Sequence, residues 1–251
     1  MPMTYVLLKK ELLEHLRTYR LLIVAGVLFM FGLSSPLLLA YLPEILRLSG
    51  EATGITLPQF TAVDALKSYL DSVGQVGLLT GILAGMGSIA QERERGTAAL
   101  VLSKPVGIGP FVLAKFLGLG AILTLGLVAG AIGCYVYTVV LFGPADVAAF
   151  AFACALAWAY LMMALAVTVW LSASFRSQLA AGVLALVTVI GTASLGAFPF
   201  FEPYLPSSLM HWGIALLAGQ ETSRWSALAV SLATIALSLL LAWRTLQRQE
   251  L

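Results

Sequence analysis

Hydrophobic and polar residues divide the chain into six long apolar segments that are joined by short polar ones. A helix needs about 20 mostly apolar residues to cross a bilayer, and a charge at the bilayer centre costs about 3 kcal/mol or more. Each apolar segment is about that long, and its charges lie at its ends. The sequence therefore predicts an all-α integral membrane protein with six transmembrane helices, at residues 21–43, 72–91, 116–142, 147–171, 178–198 and 225–243.

The composition of the chain supports this prediction. Of the 251 residues, 60% are hydrophobic and 10% are charged, a balance that is unusual for soluble domains. The pattern shows no soluble domain and no long linker, so residues 1–251 are expected to form a single transmembrane domain. Cys134 and Cys154 both lie in apolar segments, where they are expected to be small core residues and not a disulfide or metal pair.

Basic residues are distributed unevenly between the two sides of the predicted helices. With the N-terminus in the cytoplasm, eleven of the 14 Lys and Arg residues lie on the cytoplasmic side, and Arg47, Lys67 and Arg224 lie on the outer side. Cytoplasmic segments of membrane proteins carry an excess of Lys and Arg. The sequence therefore predicts that both termini are cytoplasmic and that the chain is a multi-pass protein of the inner (cytoplasmic) membrane.

Two short segments outside the predicted spans have helical patterns. In residues 1–20, leucines recur at helical spacing with Lys9, Lys10 and Arg17 between them, which is typical of an amphipathic helix at the cytoplasmic interface. A simple basic flank to the first span is the alternative interpretation. Residues 209–218 are apolar but too few to span, so they predict a short re-entrant element on the outer face before the sixth helix.

Two further features predict local changes along the spans. Pro36 removes a backbone donor inside the first apolar segment, so the first helix is expected to kink or to end there. Residues 62–71 have an amphipathic helical pattern, which predicts a helix in the outer segment before the second span.

Small residues recur at four-residue spacing in the second and third predicted helices. This spacing lets membrane helices approach one another closely, although glycine is generally frequent in such helices. The candidate helix-packing positions are Gly77, Gly81, Gly85, Gly126 and Gly130.

Motifs for nucleotide binding and metal-dependent hydrolysis do not occur in the sequence. There is no G-x-x-x-x-G-K-[ST] phosphate loop and no H-E-x-x-H pair of histidines. The apolar segments carry no Asp, Glu, Lys, Arg or His, which disfavours an ion-coupled carrier. The chain is therefore not expected to be an enzyme or to bind a cofactor, and any ATP would be bound by another polypeptide.

The polar segment at residues 91–115, between the second and third predicted spans, has the most distinctive pattern. Charges of alternating sign are followed by a Gly-Thr pair that could end one helix and cap the next, and then by a short apolar piece. Such a segment offers a compact surface to a partner, and a charged flank followed by a solvated loop is the alternative interpretation. The candidate contact residues are Glu92, Arg93, Glu94, Arg95, Gly96, Thr97, Lys104 and Pro105.

This segment, QERERGTAALVLSKPV, resembles the first cytoplasmic loop of ABC-2 type transporter permeases. The family pattern there is G/S-E-R-E-x-G-T-x-E-x-L-L-x-x-P-V, and Lys115 matches the lysine that opens the following helix. The segments LSASFRSQ and WRTLQR are similar to the turn between helices 4 and 5 and to the basic tail of the family. Ala99 and Ala114 depart from the pattern, because the family often has an acidic residue and a glycine at these two places.

The resemblance implies the permease subunit of an ATP-driven ABC transporter, most simply an exporter. Family members combine two permease subunits with two ATP-binding subunits that hold the ATP and Mg, so the resemblance implies a dimer of permeases, with a homodimer favoured over a heterodimer. The coupling loop at residues 91–115 would bind the ATP-binding subunit, with Lys9, Lys10 and Arg17 of the N-terminal helix beside it. The implied surroundings are the lipid bilayer, and no nucleic-acid partner is expected.

Other functions are compatible with the same pattern. Within the family, some permeases of this shape serve a periplasmic protein, as in the maturation of nitrous oxide reductase or in gliding motility. A structural or immunity-type membrane protein without an ATPase is a second alternative. A lipid-acting membrane enzyme would need polar residues that converge at one interface, and the candidates on the outer side are Glu202, His211, Glu221 and Arg224.

Overall fold

The computed structural model describes residues 3–48, 59–94 and 107–248, and in these ranges the chain forms helices and no strands. A π turn at Val73–Gly77 and 3-10 turns at Leu195–Ala197 and Glu202–Tyr204 connect some of the helices. The described α-helices are α1 (Met3–Arg17), α2 (Arg20–Leu48), α3 (Ala62–Ser72), α4 (Leu78–Met86), α5 (Ala90–Glu94), α6 (Ile108–Phe142), α7 (Val147–Ser174), α8 (Gln178–Ser194), α9 (Ser208–Leu217) and α10 (Trp225–Arg248).

Six helical stretches in these ranges are long and apolar enough to cross a membrane, so the prediction of an all-helical protein with six spans is confirmed. Ser208–Leu217 is a shorter apolar helix between the fifth and sixth stretches, where the sequence predicted one. The end of the bundle that carries α1 is called the α1 end below, and the opposite end is called the α9 end. The six stretches are Arg20–Leu48, Ala62–Glu94, Ile108–Phe142, Val147–Ser174, Gln178–Ala197 and Trp225–Arg248.

Helix α7 lies at the centre of the bundle. It packs against α4, α6, α8, α9 and α10. In its most apolar stretch of 18 residues, 72% of the residues are buried, compared with 22% in the corresponding stretches of the fifth and sixth spans, which contain α8 and α10. The side chains of α7 at its contact surface are mostly small or flexible, such as Ala157, Ala164 and Met163, so several helices can approach it at once. The outward faces of α8 and α10 are therefore available to lipid or to a second chain.

The second span differs from its predicted form at the α9 end. Residues 62–71 are helical, as their pattern predicted, but they belong to the span: α3 begins at a capping box formed by Thr61 and Asp64 and continues through the π turn into α4. Gly74 in this turn lies against Met210 of α9, where an added Cβ would come within 3.2 Å of Cε. The turn therefore widens the helix at a residue that lets α9 pack closely.

Helix α2 continues through Pro36 and Pro43 to Leu48, so the first span does not end at Pro36. The preceding turn is held by the Ser35 hydroxyl, which donates to the carbonyl of Phe31 at 2.8 Å. Packing also supports it, because Pro36 is buried against the rest of the bundle. Tertiary contact thus maintains a helix that the proline would weaken in isolation.

Glycines join α2 to α6 without intervening side chains. A Cβ on Gly126 would lie 2.9 Å from the Cα of Ala25, and a Cβ on Gly130 would lie 2.6 Å from the carbonyl oxygen of Leu28. Gly32 of α2 faces Gly130 directly. The two backbones therefore cross in contact, as small-xxx-small spacing permits.

The other glycines that the sequence suggested for helix packing also face neighbours in the same chain. A Cβ on Gly81 would meet Leu123 of α6 at 3.5 Å, and one on Gly85 would meet Leu165 of α7 at 3.0 Å. A Cβ on Gly77 would meet Leu28 of α2 at 3.3 Å. These positions are enclosed within one subunit, so they do not offer a surface to a second copy.

Candidate functional site

The second span is interrupted near the α1 end, between Met86 and Ala90, and Ser172 of α7 bridges the interruption. The Ser172 hydroxyl donates to the carbonyl of Met86 at 2.8 Å. It also accepts from the N–H groups of Ile89 and Ala90 at 3.1 and 3.0 Å. Backbone groups at helix ends need such partners, so one buried side chain fixes the position of α5 against α7.

Arg93 on α5 forms a hydrogen bond to α7 within the same subunit. Its Nη1 donates to the carbonyl oxygen of Ala173 at 2.8 Å, at the end of α7. A cation at a helix C-terminus is favoured by the helix dipole. Arg93 therefore anchors α5, whereas its neighbour Glu94 is exposed to the surroundings.

Glu92 of α5, Glu11 of α1 and Lys115 of α6 form an ion-pair cluster. Lys115 Nζ lies 2.6 Å from Glu92 Oε1 and 2.9 Å from Glu11 Oε2. The side chains of Lys115 and Glu11 are only 5% and 4% exposed, and that of Glu92 is 17% exposed. Two carboxylates thus share one ammonium group away from water, and the ion-pair cluster joins α1, α5 and α6.

The position of Lys115 differs from what its place in the sequence suggested. It was expected at the end of the loop 91–115, at the start of the third span, but α6 begins at Ile108. Lys115 therefore lies two turns inside the helix, where its ring contact with Phe111 (5.7 Å from Nζ to the centroid) supplements the two carboxylates.

Lys10 lies at the solvent edge of the ion-pair cluster. Its Nζ is 3.5 Å from both Glu11 and Glu14 and 4.0 Å from Glu92, and its side chain is 47% exposed. Burial acts to lower the pKa of Lys10, but the carboxylates of Glu11, Glu92 and Glu14 outweigh this effect and raise the pKa above its ordinary value. Lys10 therefore remains charged beside three acidic groups.

These acidic groups resemble a cation site by geometry alone. Ligand oxygens of Glu11, Glu14 and Glu92 lie within 4.8 Å of one another. The ammonium groups of Lys115 and Lys10, however, already lie 2.6 to 4.0 Å from these oxygens. The two ammonium groups therefore offset much of the negative charge of the three carboxylates, whose oxygens already take part in ion pairs within the chain.

Helix α1 buries a polar face. Glu11 and His15 are 3% and 2% exposed, and a Cβ on Gly118 of α6 would lie 3.1 Å from Glu11 Cβ and 3.4 Å from His15 Nε2. Burial lowers the pKa of His15, as does the nearby Arg20, so the imidazole is neutral near pH 7. Neither residue was predicted from the sequence to be part of a site, although their i, i+4 spacing places them on one face of a helix.

The opposite face of α1 is exposed and mixed in character. It carries Lys9, Lys10, Glu14 and Arg17 around a shallow groove of about 450 Å³ that also includes Leu13. Tyr5, Val6 and Leu16 of this helix are more than half exposed. An exposed face that combines cations with large apolar side chains is typical of a helix at a membrane surface.

The remaining predicted contact residues of the loop lie outside the described residues. They are Arg95, Gly96, Thr97, Lys104 and Pro105. The structure therefore locates the two ends of the loop, at Glu94 and Gly107, and the ion-pair cluster lies between the helices that carry those ends.

The polar residues at the α9 end do not all converge. Arg224 Nη2 binds Glu202 Oε1 at 3.0 Å, while His211 lines a pocket with Arg224. Glu221 is exposed and is not part of that lining. Glu202 is therefore engaged by a cation of the same chain, and Glu221 lies apart from the pocket lined by His211 and Arg224.

Comparison with known proteins agrees with this architecture. The family profile described as "ABC-2 family transporter protein" matches residues 5–251, nearly the whole chain. The chain belongs to the ABC-2 family of transporter proteins. Permeases of this family generally work with ATP-binding subunits and in a lipid bilayer, so membership indicates a transporter subunit.

Two curated relatives extend the match. The chain is 26% identical over 251 residues to the uncharacterized transmembrane protein YxlG of Bacillus subtilis, with 97% of each chain covered. It is 33% identical over 131 residues to the probable ABC transporter permease protein NosY of Pseudomonas aeruginosa, covering 52% of this chain and 43% of the relative. This ABC-2 chain thus matches one transmembrane protein over nearly its full length and a probable permease over about half of its length.

Proposed function

We propose that this chain is the permease subunit of an ATP-driven ABC exporter and that the loop at residues 91–115 receives the ATP-binding subunit. The observation that carries the proposal is the ion-pair cluster of Glu11, Glu92 and Lys115. It joins α5, which leads into the loop, to α6, which leaves it, and to α1 beside them. Movement of a partner bound to the loop would therefore reach two spans and the N-terminal helix together.

The distribution of charge supports the orientation of the complex. The α1 end carries the excess of Lys and Arg, which is typical of a cytoplasmic face, and ATP is available on that side. The chain would then lie in the inner membrane with both termini inside. ATP and Mg would be held by the partner, because the sequence has no phosphate-binding loop.

Two copies of the chain and two ATP-binding subunits form the complete transporter in this proposal. The outward faces of α8 and α10 are weakly buried within one subunit, so they are suited to lipid and to a second copy. The glycines of α4 and α6 are excluded from this role, since they pack within the subunit. A periplasmic protein that uses the α9 end is the alternative to a transported cargo.

The structure shows which residue tests the docking of the ATP-binding subunit. Glu92 is held by Lys115, and Arg93 is held by the end of α7, so replacing either one would disturb the fold. Glu94 is exposed on the same short helix. Glu94→Lys is therefore the informative variant, and Glu221→Lys at the α9 end is its matched control.

The experiment is affinity purification of each full-length variant from native membranes in mild detergent, followed by mass spectrometry. We expect wild type and Glu221→Lys to retain a stoichiometric protein with a phosphate-binding loop. Glu94→Lys should retain at least about tenfold less of it, because the reversed charge would repel the partner groups that Glu94 attracts. Equal retention by all three proteins contradicts docking at this loop. A protein without nucleotide-binding motifs that binds at the α9 end supports the periplasmic alternative.

A further inference from the structure

A pocket of about 340 Å³ at the α9 end combines several hydrogen-bond donors with an apolar wall. Its volume lies within the range of small-ligand sites, although near the lower limit. Ile214, Ala215 and Ala218 form the apolar part. The residues that provide donors are Lys67, His211, Trp212, Gln220, Thr222 and Arg224.

The donors come from three separate elements. Lys67 is on α3, His211 and Trp212 are on α9, and Arg224 immediately precedes α10. Convergence of side chains from different helices on one cavity requires the tertiary fold, so this is not a feature of local sequence. The short α9 helix, which packs on α3 and α7, is what brings them together.

Trp212 adds an observation that points to a ligand. The indole is 4% exposed, and its Nε1 is buried without a hydrogen-bond partner among the described residues. Two aromatic rings hold it: Phe152 lies 5.4 Å and Trp225 lies 5.1 Å from it, measured between centroids. A buried donor without a partner is unfavourable, so an acceptor that reached the indole N–H of Trp212 from the pocket would be stabilised.

Acidic residues near the pocket limit but do not cancel its positive charge. Glu202 binds Arg224 through Nη2 at 3.0 Å, and a guanidinium group has five N–H donors, so this pair does not exhaust it. Asp71 lies close enough to Lys67 and His211 to interact with both electrostatically, but it is not part of the lining. The groups that line the pocket are thus cationic or neutral.

We propose that this pocket binds the phosphate of a phospholipid headgroup. A phosphate accepts several charge-assisted hydrogen bonds from Lys and Arg at once. The level of the pocket in the membrane suits a lipid headgroup, because the pocket lies where the second and the sixth spans begin. Trp212 and Trp225 are there, and tryptophan is enriched at membrane interfaces. The apolar wall receives the glycerol and the first carbons of the acyl chains.

This inference does not depend on the proposed function, since the site can be occupied with or without an ATP-binding subunit. Its test is a titration of the full-length protein in detergent with phosphatidylglycerol, read by native mass spectrometry. Lys67→Ala is the test variant, Lys67→Arg is the conservative one, and Arg47→Ala is the control, because Arg47 is an exposed cation outside the pocket.

We expect Lys67→Ala to weaken binding about tenfold, the loss expected for one charge-assisted hydrogen bond, whereas Lys67→Arg and Arg47→Ala bind as wild type does. Diacylglycerol, which has no phosphate, should not bind. Thr222→Val should weaken binding less, and it keeps the test valid if Lys67→Ala does not fold.

Three results would overturn the assignment. Equal weakening by Lys67→Ala and Arg47→Ala would show nonspecific attraction to charge. Equal binding of diacylglycerol would show that the phosphate is not recognised. Complete displacement of the lipid by millimolar inorganic phosphate would show a site for a free anion and not for a lipid headgroup.

Discussion

Lys115 of α6 and Glu11 of α1 form an ion pair at 2.9 Å in which both side chains are almost completely removed from solvent. Charges in such surroundings are stable only while they are paired. Because Glu92 shares the same ammonium group at 2.6 Å, the three residues act as one unit. The attachment of α1 to the bundle therefore depends on a lysine that is more than 90 residues away in the sequence.

Removal of Lys115 is expected to destabilise the protein more than removal of Glu11. Lys115→Ala leaves the carboxylates of Glu11 and Glu92 with only the half-exposed Lys10 as a cation, at 3.5 and 4.0 Å, and should lower the free energy of unfolding by about 3–5 kcal/mol. Glu11→Ala leaves the pair of Lys115 with Glu92 and should cost less. Thermal unfolding of the purified variants in detergent measures the difference.

Lys9→Ala is the control for this comparison, since Lys9 is an exposed lysine on α1. Its effect should stay within about 0.5 kcal/mol. A Lys115→Ala variant as stable as Lys9→Ala would show that the ion-pair cluster does not hold the three helices together.

Ser172→Ala tests the interruption of the second span. The substitution removes the partner of the Met86 carbonyl and of two N–H groups, and a buried unsatisfied polar group costs about 1–3 kcal/mol. Hydrogen exchange should also become faster at Ile89 and Ala90. Ser174→Ala is the matched control, because that hydroxyl bonds only the Trp170 carbonyl in its own helix and should change neither quantity.

Gly32→Ala tests the contact between α2 and α6. A methyl group at Gly32 would collide with the backbone of Gly130, which cannot move aside as a side chain would, so a loss of about 1–3 kcal/mol or more is expected. Gly26→Ala on the same helix has open space around it and should be neutral or slightly stabilising. Equal melting temperatures for the two variants would contradict the close crossing.

His15 should make stability depend on pH. Its pKa in the folded protein lies below the ordinary value of 6.5, chiefly because of burial. The unfolded chain therefore binds more protons below that pH, and the stability that the neutral imidazole provides is present above pH 6.5 and is lost as the pH falls.

Melting temperatures at about pH 7.5 and about pH 5.5 measure this effect. Wild type should lose more stability between the two than His15→Gln, in which the neighbouring Arg20, Glu11, Lys115 and Glu14 are unchanged. An identical loss in both proteins would assign the pH dependence to the acidic groups.

The six spans could be predicted from sequence because the cost of a charge in hydrocarbon leaves a continuous, local pattern. The short helix Ser208–Leu217 was predictable for the same reason, from its apolar composition and its length. The start of the second span could not be predicted. The amphipathic pattern of residues 62–71 fits an interfacial helix as well as the beginning of a span that packs against α9.

The ion-pair cluster could not be predicted, because it depends on which helices become neighbours. On α1, the leucine pattern predicted an amphipathic helix at the interface, but it did not indicate that the bundle buries Glu11 and His15 while Leu16 is exposed. Lys115 was interpreted as the end of a loop because it precedes an apolar segment. A carboxylate from each of two other elements makes its burial possible, and their approach is tertiary information.

The close crossing of α2 and α6 provides a fixed contact about which α6 could tilt. Helix α6 has 35 residues, so it is a rod of about 52 Å, longer than the hydrocarbon core of about 30 Å. The glycine contact at Gly126 and Gly130 leaves arms of about 27 Å toward Ile108 and about 18 Å toward Phe142. If α6 tilts about this contact, a displacement of 1 Å at its Ile108 end moves its Phe142 end, on the other side of the bilayer, by about 0.7 Å in the opposite direction.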